Sequence, residues 1–296
     1  MTNSNLETTP LLSILCITYN HEKYISKAIK SFLEQETSFD FEIVIGEDCS
    51  TDNTLEVILE FQKNHSKIIK IIKSEKNIGV TKNFRRTLAA CRGKYIALCE
   101  GDDYWDDPKK IQTQVSFLES NPEYVLTYHD THSIDENNKI TNDLSKKGIN
   151  FDVSGSELIE APSISTLTTC FRNKIKEIPD EFNSAPIFDI CLWSLLGHHG
   201  SGKYIKSIKP SIYRIHNGGI FSSKNKSEKI RMAAQSYIAL SKHYENKNNI
   251  DISQFFTYKS SEALSIDLEN KYKVKFLLLT AIRIIKKIYS AAPKEK

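Results

Sequence analysis

Tyr95-Ile96-Ala97-Leu98-Cys99-Glu100-Gly101-Asp102-Asp103-Tyr104-Trp105-Asp106-Asp107-Pro108 is the stretch whose reading decides the fold. Tyr95 to Cys99 is an apolar run of the length of a buried strand. It stops at Glu100, Asp102 and Asp103, with Gly101 between them. Carboxylates at the end of a buried strand are costly unless solvated, paired or bound to a cation. In open α/β sheets the carboxyl end of a strand is where ligands sit. Oxygen-only ligands suit Mg²⁺ or Mn²⁺, with diphosphate oxygens completing the shell. Asp102 and Asp103 are therefore read as metal and nucleotide residues. Asp106 and Asp107 are read as the start of the helix that follows Pro108, because carboxylates favour a helix N-terminus.

Working outward, the segments on the N-terminal side repeat one pattern. Leu11 to Ile17 is a β-rich run that ends in Thr18-Tyr19-Asn20, and a helix is expected from Glu22 to about Glu34. Phe41 to Gly46 is a second strand, ending in Glu47 and Asp48. Ser50-Thr51-Asp52 then starts another helix. Ile68 to Ile72 is a third strand, followed by the turn Asn77-Ile78-Gly79 and a helix from Val80 to Ala90. Strands alternating with helices specify a parallel sheet. Right-handed crossovers bring the four strand ends to one edge. That edge collects Thr18, Asn20, Glu47, Asp48, Asn77, Asp102 and Asp103, a constellation suited to a nucleotide and a metal. No G-x-G-x-x-G follows the first strand and no G-x-x-x-x-G-K-[ST] occurs. Gly200-Ser201-Gly202-Lys203 is only a fragment of such a loop.

The C-terminal side is less regular. Lys109 to Leu118 is helical, Tyr124 to Tyr128 is a strand, and Asp135 to Asn142 reads as a turn region. A short helix is expected at Ser154 to Glu160 and a strand at Thr166 to Arg172. Pro186 to Gly197 is an apolar helix carrying one carboxylate, Asp189. Two strands, Lys203 to Ile205 and Ser211 to Ile215, precede His216-Asn217-Gly218-Gly219.

Composition narrows the class. The 296 residues are 40% hydrophobic and 26% charged, ordinary for a globular chain. A net charge of +3 gives no reason to expect nucleic acid. Cys16, Cys49, Cys91, Cys99, Cys170 and Cys191 form no CxxC and read as reduced thiols, as in the cytoplasm. Met1 to Pro10 is polar, has no apolar h-region and is expected to be disordered.

Thr18-Tyr19-Asn20, Glu47-Asp48-Cys49-Ser50-Thr51-Asp52, Asn77-Ile78-Gly79, Glu100-Gly101-Asp102-Asp103 and Tyr213-Arg214-Ile215-His216, in this order and spacing, resemble the bacterial family-2-type glycosyltransferases. The resemblance runs from Leu11 to about Ser222. It implies a GT-A fold: α/β, with a Rossmann-like, mostly parallel central sheet flanked by helices. The domains would be 11–222 for catalysis and 223–296 for a helical extension. It implies a metal-dependent inverting glycosyltransferase that moves a hexosyl or N-acetylhexosaminyl group. The donor would be a nucleoside-diphosphate sugar, UDP-sugars favoured, and the acceptor a hydroxyl of a glycan or lipid-linked molecule in surface polysaccharide biosynthesis. Thr18, Tyr19, Asn20, Glu22, Glu47, Asp48, Asn77, Asp102 and Arg214 would line the nucleotide site. Asp102, Asp103 and His216 would hold Mn²⁺ or Mg²⁺, and Asp189 would be the catalytic base. Glu47 and Cys49 depart from the family's more usual two Asp followed by Gly or Asn.

Plainer readings stand beside these. Thr18 and Asn20 are also suited to capping the first helix, Asp189 to pairing with a core arginine, and His216 to a turn before two glycines. Trp105 and Trp193 are suited to stacking on a sugar or to the core. A nucleotidyltransferase would use a similar fold and metal, but typically carries a Gly-rich basic loop after its first strand. An inactive nucleotide-sugar-binding protein would have no need of Asp189.

One helix remains. At ~100° per residue, Lys275, Arg283, Lys286 and Lys287 fall in an arc of about 120°. Leu277, Leu278, Ala281, Ile282, Ile284, Ile285, Ile288 and Tyr289 fill the opposite side, while Phe276 and Leu279 break the polar arc. Such a helix packs on a domain or makes a peripheral contact with an anionic membrane, here the inner face of the cell membrane.

Overall fold

The computed structural model describes residues 9–143, 149–175 and 177–272. Ten strands and eight α-helices follow one another: β1 Leu12–Thr18, α1 Ile25–Leu33, β2 Phe41–Glu47, α2 Thr54–Asn64, β3 Ile69–Lys73, α3 Val80–Ala90, β4 Tyr95–Leu98, α4 Lys110–Ser120, β5 Tyr124–Tyr128, β6 Thr131–Ile134, β7 Ile140–Asp143, α5 Gly155–Ile159, β8 Cys170–Arg172, α6 Phe188–Gly197, β9 Ser201–Tyr204, β10 Ser211–Arg214, α7 Lys226–Asn246 and α8 Ile250–Tyr272.

The main sheet has the order β3-β2-β1-β4-β8-β5-β9. β1 pairs in parallel with β2 and β4, and β2 with β3, so the expected parallel half is present with its strand ends on one edge. β8 alone runs antiparallel to its neighbours β4 and β5. All seven residues of β1 are buried, as expected of a strand covered on both faces. Ile25, Ala28, Ile29 and Phe32 of α1 and Ile111, Val115 and Leu118 of α4 complete the core around it. Lys110 is wholly buried in that core. Its Nζ donates to Gln114 Oε1 at 2.8 Å and lies 4.1 Å from the Trp105 ring centre; burial pulls its pKa down to about 8.

Two expectations needed correction. Thr166 to Arg172 is not one strand: Thr166–Thr168 is a 3₁₀ turn, and β8 has three residues. The Asp135 to Asn142 region is not only a turn, since it joins β6 to β7. These two pair with β10 in a separate three-stranded sheet of order β10-β6-β7. β10 reaches the main domain through a bridge from Ile212 to Tyr104, which delivers Arg214 and His216 to the end of β4.

The described residues fall into two compact units. One belongs to Met1–Asn183 and Phe188–Ser223, the other to Ser184–Ile187 and Lys224–Lys296. In the second, Ala234, Leu240, Tyr244 and Phe256 are buried, and the Tyr244 and Phe256 rings stack at 5.9 Å. No helix among the described residues is long and apolar enough to cross a membrane. The amphipathic segment Lys275 to Tyr289 lies outside the described residues.

Candidate functional site

The turns after β1, β2 and β3 are held by the side chains that the sequence singles out. Asn20 adopts φ +55°, a left-handed conformation that asparagine tolerates. Its Oδ1 accepts from Thr51 N–H at 2.8 Å, while its own N–H donates to Ser50 Oγ at 3.0 Å. Glu22 accepts from Asn53 N–H and Nδ2 at 3.1 and 3.0 Å. Glu47 is buried and accepts from Cys49 N–H and Ser50 N–H. Asp48, also buried, accepts Ile78 N–H on one oxygen at 3.0 Å and Gly79 N–H on the other at 2.9 Å. It thereby clamps the β3–α3 turn to the end of β2. Asn77 is exposed and accepts from Gly79 N–H at 3.1 Å. Tyr19 is 39% exposed at the rim. Neither Thr18 nor Asn20 caps α1; Thr18 Oγ1 is buried without a hydrogen-bond partner.

The end of β4 is tighter. Gly101 lies against Thr18 and Ile25, where a Cβ would come within 2.7–2.9 Å of their side chains. That close approach sets the chain course for the next two residues. Asp103 turns inward: it is 3% exposed, and its Oδ1 accepts the Arg214 N–H at 2.8 Å. Burial and the charges of Asp102 and Glu100 push its pKa well up. Asp102 turns outward, 17% exposed, with Oδ2 3.0 Å from His216 Nε2 and 3.8 Å from His21 Nε2. Burial raises its pKa, but the two imidazoles outweigh it and the net shift is downward. Ligand atoms of His21, Asp102 and His216 all lie within 4.8 Å of one another. Asp103 is outside that group. Sequence reasoning missed His21; its signal was an imidazole directly after Thr18-Tyr19-Asn20, on the strand-end edge.

Arg214 is 6% exposed. Its Nε donates to the Asp102 carbonyl and its Nη1 to Asn138 Oδ1, and its guanidinium lies 4.8 Å from the Tyr24 ring centre. It opens onto a cavity of about 630 Å³ lined also by Lys23, Tyr24, Lys27, Tyr104, Glu136, Asn137 and Asn138. Three cations against the single carboxylate of Glu136 leave this cavity with an excess of positive charge.

Asp189 sits in the first turn of the apolar α6, with Oδ1 accepting the Ile190 N–H at 3.0 Å. No arginine pairs with it among the described residues. Burial raises its pKa to about 6. Glu100 is raised to about 7, first by burial and then by Asp102, and Asp189 adds to the push. Trp105 and Trp193 are core residues, with indole N–H groups donating to Leu167 O and Ile164 O. Neither offers a sugar-stacking face. Asp107 closes the turn before α4 by accepting from Lys109 N–H, while Asp106 is exposed.

Carboxylates and imidazoles thus gather at the strand ends of an α/β sheet, the edge where ligands bind in such sheets. Residues 13–177 match the family described as Glycosyl transferase family 2, and the chain belongs to that family. An uncharacterised protein of Mycobacterium tuberculosis is 35% identical over 214 residues, 72% of this chain and 61% of that protein; the match thus spans under two thirds of that relative's length. Two solved structures share the GT-A fold. Staphylococcal TarS in complex with UDP has a TM-score of 0.53 at 18% identity, over 86% of this chain and 91% of that one. The mannosyltransferase PcManGT of Pyrobaculum calidifontis, in complex with GDP-mannose and Mn²⁺, has a TM-score of 0.55 at 12% identity, over 94% and 81%.

Proposed function

We propose that this chain is a metal-dependent, inverting glycosyltransferase using a nucleoside-diphosphate sugar, with UDP-sugars favoured. The observation that carries this is the meeting of Asp102 with His216 at 3.0 Å, at the end of β4. The donor set fits a divalent cation: one carboxylate oxygen and two imidazoles converge, and His21 has no hydrogen bond through its ring among the described residues. Bound there, the cation would hold the diphosphate and stabilise the leaving charge. UDP in TarS and GDP-mannose with Mn²⁺ in PcManGT support a nucleotide-sugar donor.

Arg214, with Lys23 and Lys27 in the same cavity, would take the diphosphate. Tyr19, Asn20 and Asn77 would border the base and ribose; Glu22, Glu47 and Asp48 would hold the turns that form that rim. Asp103 would support the site by fixing Arg214. Asp189 would remove the proton from the acceptor hydroxyl. The acceptor oxygen then bonds to the anomeric carbon as the bond to the diphosphate breaks, inverting that carbon and releasing nucleoside diphosphate. The acceptor would be a glycan or lipid-linked hydroxyl and the group moved a hexose or N-acetylhexosamine. Surface polysaccharide assembly at the cytoplasmic membrane face is the setting that the family resemblance supports.

The test is a panel of sugar nucleotides with Mn²⁺, scored for free nucleoside diphosphate and for product configuration. Release with one donor, an inverted product and loss of turnover with EDTA are expected. Pyrophosphate release would instead mark a nucleotidyltransferase, and binding without release an inactive receptor.

A further inference from the structure

We infer that His21 is a third protein ligand of the cation, so that the site holds it with two imidazoles and one carboxylate and prefers Mn²⁺ and later transition metals to Mg²⁺. This rests on the reading that Asp102 and His216 bind a divalent cation, and goes beyond it in ligand count and selectivity.

The geometry carries it. Ligand atoms about 2.1 Å from a shared six-coordinate ion stand about 3.0–4.2 Å apart. The Asp102 oxygen is 3.0 Å from His216 Nε2 and 3.8 Å from His21 Nε2, both inside that range, and the three ligand atoms all lie within 4.8 Å of one another. The rings of His21 and His216 meet edge-on, with centres 6.0 Å apart at 81°. His21 is placed from its backbone, whose N–H donates to Thr54 Oγ1 at 2.8 Å. A simple pairing of His21 with Asp102 accounts for less. A separation of 3.8 Å is too long for a hydrogen bond, and both imidazoles face the same carboxylate oxygen. The His21 ring is 14% exposed, and its Nδ1 is buried without a partner. Its Nε2, the nitrogen turned toward Asp102, has no hydrogen-bond partner among the described residues and is left to coordinate.

The chemistry follows from the donor set. Mg²⁺ prefers oxygen and dehydrates reluctantly. Imidazole affinity rises from Mn²⁺ through Co²⁺ to Ni²⁺. Three protein ligands also hold the ion before nucleotide arrives and leave open positions for diphosphate oxygens.

Calorimetry of the full chain without nucleotide tests this, using Mn²⁺, Co²⁺ and Mg²⁺ alone. One Mn²⁺ site is expected, with Co²⁺ tighter and Mg²⁺ weaker. His21→Ala should weaken Mn²⁺ by at least about tenfold, the low end for even an outer-shell partner of a ligand, and narrow the Mn²⁺/Mg²⁺ ratio. Pulsed EPR of bound Mn²⁺ in the unmodified chain should show two coupled imidazole nitrogens, which needs no variant to fold. One coupled nitrogen, or unchanged Mn²⁺ affinity in His21→Ala, overturns the inference. Asp102→Ala separates the two levels. If it weakens Mn²⁺ while His21→Ala does not, only the third ligand fails. If neither variant changes Mn²⁺ binding, the cation site itself fails.

Discussion

Asp103 gives its Oδ1 to the Arg214 N–H, whereas Asp102 faces two imidazoles. Asp103→Ala should therefore cost about 1–3 kcal/mol of stability, the penalty for stranding a buried N–H, read as a lower urea midpoint. Asp102→Ala should leave the midpoint nearly unchanged and abolish Mn²⁺-dependent turnover. Asp189 has a different signature. A general base works deprotonated, and burial places its pKa at about 6. With protonation costing activity, kcat/KM should be level above that value and fall about tenfold per pH unit below it. Asp189→Asn should lose at least about a hundredfold in turnover with donor affinity kept, since general acid–base groups contribute 10²–10⁴-fold. A variant within a few fold of the parent would assign the base to another group.

At the scale of elements, Asp189 depends on where α6 lies. Gly197 ends that helix against α5: a Cβ there would stand 2.5 Å from the Gly155 carbonyl and 2.6 Å from the Ile159 nitrogen. Both are backbone atoms and cannot turn aside. Gly197→Ala should lower stability by about 1–3 kcal/mol and, by moving α6, reduce kcat. Thermal melts and turnover check the two together; the exposed His199→Ala is the control and should change neither. Element type was legible for β1–β4 and their helices because apolar periodicity is strong there. It was not legible for β6 and β7, and β8 was read four residues too long. β6 and β7 are largely polar, Thr131 to Ile134 and Ile140 to Asp143, so no apolar run marks them, and β10 pairs with β6 across some eighty residues.

For the whole molecule, the segment after Tyr272 is where a membrane contact would act. Its basic arc motivates the expectation that deleting residues 273–296 reduces co-sedimentation with anionic liposomes. Donor binding by the truncated chain should be kept. Equal sedimentation of both chains would mean that the helix packs on protein instead. What the sequence determined alone was the parallel half-sheet and the edge where its carboxylates collect, because alternating elements specify parallel strands and right-handed crossovers put their ends on one edge. Only the tertiary structure decided how those carboxylates divide. Asp102 and Asp103 are adjacent acids in sequence; in the fold Asp103 accepts the Arg214 N–H while Asp102 meets two imidazoles. His21 and His216 lie almost two hundred residues apart, and no local pattern joins them. Their meeting depends on β10 bridging to Tyr104, a long-range contact that exists only once the chain has folded.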